Sequence, residues 1–329
     1  MIRAGHRTPR SRPAGARTDS SSAEPLPMTA DTAPALHIDG IPIHVDGDHG
    51  PALLMVHGWP DTHRLWDGTV GALRAHRRCV RFTLPGFDVT AGRRPATLDE
   101  TLVLLTRVAD AVSPDAPVEL LVHDWGCLFG YTWAVRHPDR VRRMVGVDIG
   151  DAGSAAHRRA LGLAGGAMVA GYQLWLALAW TVGGRVGDAM TRGFARLAGA
   201  PGAPETIGSS MDYPYAMVWS GRYARAGANL GAFRPPCPML YVHGRRKPVA
   251  FHSPDWVAAL EADPAHRVRA FDTGHWPMHE QPEAFGQAVL EWLVRAGSPS
   301  GTTPGTAERT RNAGPRTAPD APGAQGAAG

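Results

Sequence analysis

The chain has 329 residues, enough for one large domain or two small ones with a sizeable core. Its formal net charge of +4 sits at the ends, where five arginines up to Pro27 face Asp19 and Glu24, and three beyond residue 296 face Glu308 and Asp320. The stretch between is balanced, which argues against a nucleic-acid groove, and three cysteines without metal-type spacing (Cys79, Cys127, Cys237) point to reduced thiols in a cytoplasm.

Residues 1–34 and 297–329 are rich in Pro, Gly, Ala, Ser, Thr and Arg, with few large apolar side chains, and are expected to be disordered tails around a core at 35–296. The Arg-rich start imitates an organellar transit peptide. Lys247, however, is the only lysine beside 33 arginines, a bias that reads as GC-rich bacterial coding sequence, and no secretory apolar segment precedes Met28.

Leu36 to Asp39 and Ile41 to Asp46 alternate around Gly40 as an edge hairpin. Ala52 to Val56 is continuously apolar, as in a parallel strand covered on both faces. It ends in His57-Gly58-Trp59-Pro60-Asp61, a loop that either presents the Trp59 N–H to an oxyanion or simply leads into a helix capped by Asp61 or Thr62. Cys79 to Leu84 is a further strand, and residues 98–112 form an apolar-faced helix.

Val118 to Val122 then runs into His123-Asp124-Trp125-Gly126, a strand, a tight turn and a helix with Asp124 at the apex. A carboxylate there is a candidate nucleophile for an sp3 carbon, forming an alkyl ester; equally, Asp124 could merely cap the helix. Val141 to Val147 is the next strand, ending in Asp148-Ile149-Gly150-Asp151.

Residues 152–233 are a helical insertion, read as a cap. Ala160 to Gly184 lacks charge and is long enough on paper to span a bilayer; it is expected to form two apolar helices lining a pocket, with a membrane-facing lid as the alternative. Pro238 to His243, Arg267 to Phe271 and a helix from Glu283 to Val294 complete an α/β chain with a doubly wound, mostly parallel sheet. Ligands in such sheets sit at the carboxyl ends of the strands, where Asp124 lies.

Three motifs, His57-Gly58-Trp59-Pro60, His123-Asp124-Trp125-Gly126 and Gly274-His275-Trp276, stand in order at predicted strand ends. Over residues 35–296 the chain thereby resembles the α/β-hydrolase superfamily, specifically its Asp-nucleophile group of epoxide hydrolases and haloalkane or haloacid dehalogenases. The resemblance implies Asp124 as nucleophile, the Trp59 and Trp125 backbone amides as oxyanion hole, and His275 as the base that activates water, with neither metal nor cofactor. Many members supply the histidine's acid from a Gly-x-x-Asp turn, which here reads Gly244-Arg245-Arg246-Lys247. Others place it after the strand following the elbow helix, which selects Asp148, with Asp151 as a second candidate.

Epoxide opening calls for two cap tyrosines. The resemblance suggests Tyr172, and then Tyr215 or Tyr213, with Trp175 beside the substrate. A dehalogenase needs N–H donors for halide, of which Trp125 could be one. The expected activity is hydrolysis of a small or medium apolar epoxide, with a dehalogenase using the same triad as one alternative and a non-catalytic ligand-binding or accessory protein as another. Val122, two residues before the apex, departs from the family's preference for a small residue in that crowded turn.

Overall fold

The structure, a computed structural model, describes residues 34–295. Apart from Pro34, both expected tails lie outside the described residues.

Eight strands form one sheet: β1 (Leu36–Ile38), β2 (Ile41–Asp46), β3 (Ala52–Val56), β4 (Arg78–Phe82), β5 (Val118–His123), β6 (Val141–Val147), β7 (Met239–Gly244) and β8 (Arg267–Phe271). Their order is β1-β2-β4-β3-β5-β6-β7-β8, antiparallel through the β1-β2-β4 edge and parallel from there on. The reversal between β4 and β5 around β3 is the topological switch at which such sheets open a crevice. The strands lengthen this into a doubly wound, mostly parallel sheet.

The helices are α1 (Asp67–Leu73), α2 (Leu98–Val112), α3 (Trp125–Arg136), α4 (Ala155–Val182), α5 (Gly184–Ala198), α6 (Tyr213–Trp219), α7 (Arg222–Arg225), α8 (Pro254–Ala262), α9 (Pro277–Glu280) and α10 (Pro282–Arg295). β3 is buried along its whole length because both faces are covered. Leu54 and Val56 pack on the side of α2 and α3, whereas Leu53 and Met55 meet the residues of α1 and α10. That alternation is the two-residue period of a strand. α2 begins at a capping box in which the Thr97 hydroxyl accepts from the Glu100 N–H and Glu100 reaches back to Thr97.

The insertion between β6 and β7 holds α4 to α7. Its apolar run is not two helices within the Ala160 to Gly184 stretch. The helix breaks at Gly162, whose φ of 61° and ψ of −170° interrupt it, continues unbroken from there to Val182, and turns at Gly183 into α5. Much of this run is exposed rather than lining a pocket, since Leu176 and Ala179 alone of its second half are buried.

The crowding expected at Val122 is relieved from the opposite side. α3 leaves the elbow and packs back over β5, and a Cβ on Gly130 would stand 2.6 Å from Val122 Cγ1. The helix therefore gives up, at Gly130, the bulk that Val122 adds on the strand. Gly130→Ala should destabilise the fold by about 1–3 kcal/mol through overpacking. Adding Val122→Ala should recover part of that loss, so urea titration of the two single variants and the double variant should show a non-additive cycle; strict additivity would mean that the two side chains do not compete for space.

Candidate active site

Asp124 follows β5 with φ of 52° and ψ of −121°, in the sparsely populated region that a strand-to-helix elbow imposes. It precedes α3, but its side chain makes no capping hydrogen bond to that helix. The carboxylate instead receives the Trp59 N–H on Oδ1 at 2.7 Å. The approach of the two loops is close enough that a Cβ on Gly58 would lie 2.4 Å from Asp124 Oδ1 and equally near the Trp125 nitrogen, so that position tolerates only glycine.

Behind the elbow stands His275, on the turn that follows β8. Its Nε2 is 3.5 Å from Asp124 Oδ2, and its Nδ1–H donates to Asp148 Oδ2. Asp148 lies at the end of β6 with φ of 72° and is buried. Asp151 points elsewhere, accepting from the Ser253 N–H and from the Ser154 and Ser253 hydroxyls. His123 fixes the turn from below by donating its Nε2–H to the His275 carbonyl at 2.9 Å. His57 is structural as well, accepting the Leu84 N–H on Nε2 at 3.0 Å, with burial lowering its pKa to about 4.

The Asp148 side chain has a further partner that the sequence reading missed. Lys247, from the turn where the family often carries its acid, donates to Asp148 Oδ1, which also accepts the Gly244 N–H at 3.1 Å. Lys247 cannot be the acid; it is the acid's counter-charge. Its signal in the sequence was its position, the chain's one lysine where a carboxylate is expected.

These contacts set the charges. Burial disfavours a charged Asp148, but Lys247 and then His275 outweigh it and hold the carboxyl at about 2. Burial likewise opposes protonation of His275, yet the Asp148 and Asp124 carboxylates raise it to about 9. Asp124 is lowered despite burial, chiefly by His275. The resting site is thus a buried chain of alternating charge, Asp124, His275, Asp148 and Lys247.

A cavity of about 560 Å³ opens over Asp124 and His275 beneath the cap. Tyr172 of α4 and Tyr215 of α6 both line it, their ring centroids 6.1 Å apart. Burial drives both phenols upward, so they keep their protons at neutral pH. Trp59 roofs the other side and is tied to the cap, its Nε1–H donating to the buried Asp212 at 2.7 Å. Burial pushes the Asp212 carboxyl well above the ordinary range, and Thr191 supplies its second hydrogen bond. No sequence signal marked Asp212 beyond its being a lone acid in an apolar segment.

Two expected substrate contacts are corrected. Tyr213 packs against Phe87 and Trp180 and does not line the cavity. Residues two apart on a helix point to nearly opposite sides, so Tyr215 turns inward and Tyr213 away. Trp175 is 46% exposed on the outer side of α4, its Nε1–H donating to the Met190 carbonyl at 3.3 Å. The inward stripe of α4 runs instead through Tyr172 and Leu176, one turn apart. Among the described residues no three His, Cys, Asp or Glu side chains group as metal ligands.

The model of the alpha/beta hydrolase fold matches residues 51–282. The chain belongs to the α/β-hydrolase family. It is 36% identical over 119 residues to the probable oxidoreductase EphD of Mycobacterium tuberculosis, covering 33% of this chain and 20% of that one. An epoxide hydrolase of Caballeronia sordidicola is 31% identical over 120 residues, 34% of this chain and 35% of its own. A haloalkane dehalogenase of Mycolicibacterium smegmatis is 32% identical over 107 residues, 31% and 34% of the two chains. The matched segments thus span about a third or less of these relatives. Across the fold, a Bacillus megaterium epoxide hydrolase crystallised with an inhibitor superposes with a TM-score of 0.59 at 19% identity, covering 78% of this chain and 99% of that one.

The raised pKa of His275 has a consequence for stability. Its folded value of about 9 exceeds the ordinary 6.5, so its contribution is fully present below pH 6.5 and is lost as pH rises through about 9. Asp61, which burial raises to about 7, is only half titrated at pH 7 and adds to the fall up to about pH 8, so the comparison with His275→Gln is what isolates the histidine. Unfolding free energy should therefore fall between pH 7 and 9 by an amount on the order of a few kcal/mol. In His275→Gln that decline should flatten, as measured by urea denaturation across the range; an equal slope in both proteins would show that His275 does not carry the extra proton.

Proposed function

We propose that the protein opens a small or medium apolar epoxide to a diol through an alkyl ester on Asp124. The chief support is the cavity in which two protonated phenols, the half-buried Tyr172 and the buried Tyr215, face the same space as a lowered, ionised carboxylate. A carboxylate attacks carbon well, but the ring oxygen leaves as an alkoxide and needs a proton donor.

In the first step Asp124 Oδ2 or Oδ1 forms a bond to a ring carbon while the carbon–oxygen bond breaks, and a cap tyrosine gives its proton to the departing oxygen. The phenolate so formed is reprotonated from the imidazolium of His275 or from solvent. Esterification also removes the Asp124 charge that helped to raise His275, so the imidazole is released toward its neutral form when a base is required.

In the second step neutral His275 takes a proton from water, whose hydroxide adds to the ester carbonyl. The Trp59 N–H, already directed at Asp124, and the Trp125 N–H stabilise the resulting oxyanion. Collapse expels the diol oxygen, which takes the proton from His275, and the proton left on the Asp124 carboxyl passes to the freed imidazole, restoring the carboxylate and the imidazolium. Asp148 holds the Nδ1 tautomer throughout, and Lys247 keeps Asp148 ionised.

A haloalkane dehalogenase is the second reading, favoured by one observation. The Trp125 indole N–H is buried beside Asp124, against the Tyr215 side chain, where a halide leaving the substrate carbon would meet it. Tyr172→Phe with Tyr215→Phe separates the two. Epoxide turnover should drop by about two to four orders of magnitude. Full retention on an epoxide panel would remove the phenols from the chemistry, and activity confined to haloalkanes would favour the halide reading.

A further inference from the structure

Beyond Gly162, α4 carries no charged side chain, and α5 returns alongside it. Their outward faces leave large apolar groups in solvent: Leu163 is 96% exposed, Leu178 51%, Val186 63% and Leu197 82%. A contiguous surface of this kind on a folded protein marks a binding face. α4 is long and apolar enough to cross a membrane. It cannot do so without leaving the fold, because Leu176 and Ala179 are buried and Tyr172 lines the cavity. The face is therefore one to be covered, with the helices lying flat.

Charge selects the occupant. Residues 152–233 hold seven arginines against Asp188, Glu205 and Asp212, a balance of +4, while the remaining described chain is net negative. Arg158 and Arg159 precede the apolar run, the first donating to the Gly153 carbonyl and the second paired with Asp255 at 3.7 Å. The uncompensated charge at the face is therefore that of Arg185, which closes the run, and Arg196 farther along α5. Arg185 and Arg196 are exposed and make no ion pair among the described residues. Two copies joined through this face would bring like charges together. The terminal segments contain few large apolar side chains to cover it. A flat apolar face bordered by arginines, with Trp175 half out of the surface, suits the headgroup boundary of an anionic bilayer.

We propose that the α4–α5 face of the cap seats on an anionic lipid surface. The cavity mouth opens at the edge of the same face, since Phe194 and Leu197 line both the cavity and a shallow outer groove with Trp175 and Met190. Resting on the reading of an apolar substrate, this placement lets the substrate pass from the lipid into the site without crossing water.

Co-sedimentation of the full chain with phosphatidylcholine vesicles, with and without phosphatidylglycerol, tests the docking without any substrate. Binding should appear with phosphatidylglycerol, weaken with added salt, and fall about tenfold or more in Leu174→Asp/Leu178→Asp. Those two side chains are exposed and lie outside the cavity lining, so circular dichroism should be unchanged. The proposal is overturned if the protein stays in the supernatant with anionic vesicles, if it binds neutral vesicles equally, or if the double variant sediments as before. It is also overturned if light scattering shows a dimer that the same substitutions dissolve, since the face would then join two copies. Vesicle binding without turnover of any epoxide would keep the docking and reject the proposed chemistry.

Discussion

The site depends on a carboxylate held in a backbone conformation that an aspartate seldom adopts. Asp124, with φ of 52°, can be lifted from the end of β5 because the loop carrying Gly58 leaves room beside its carboxylate, while Gly130 of the elbow helix leaves room for Val122 two residues before it. The parallel strands β3 and β5 bring the two loops together in register, Val56 beside Val122, so the Trp59 amide meets the carboxylate at the crevice. Neither loop could supply that geometry alone; the sheet fixes it.

Electrostatics then ranks the groups behind the nucleophile. An imidazolium between two carboxylates would over-stabilise its proton and make a poor base. Lys247 moderates this by sharing Asp148, and loss of the Asp124 charge on esterification moderates it further at the step where a base is required. In a buried site such pairings carry weight because water screens them little. The same arrangement explains why a lysine stands in the turn that many relatives give to an aspartate: once the acid has moved to β6, that turn is left facing a carboxylate, and a cation satisfies it.

The succession of strands along the chain and the elbow with Asp124 at its apex were legible because each rests on a local pattern, such as an apolar strand ending in a polar turn, whereas His275 and Asp148 were named only through the family resemblance. The helix at 98–112 was legible to the residue, since its capping box and apolar face are both local. What was not legible depends on contacts between distant segments. Lys247 on Asp148, Asp212 on Trp59 and Gly130 under Val122 join residues whose separation in sequence carries no period or spacing. Choosing between Tyr213 and Tyr215 required knowing which side of a short helix faces inward. The exposure of α4 was hidden for a different reason: an apolar run looks the same whether protein or something else covers it.

The central claim is that Asp124 becomes covalently attached to the substrate. Intact-mass measurement of His275→Gln after incubation with an epoxide that the wild-type protein consumes tests it directly, because this variant retains the nucleophile and lacks the base. The account predicts an adduct equal to the whole epoxide, located on the peptide containing Asp124. A protein of unchanged mass, or an adduct on another residue, would contradict it.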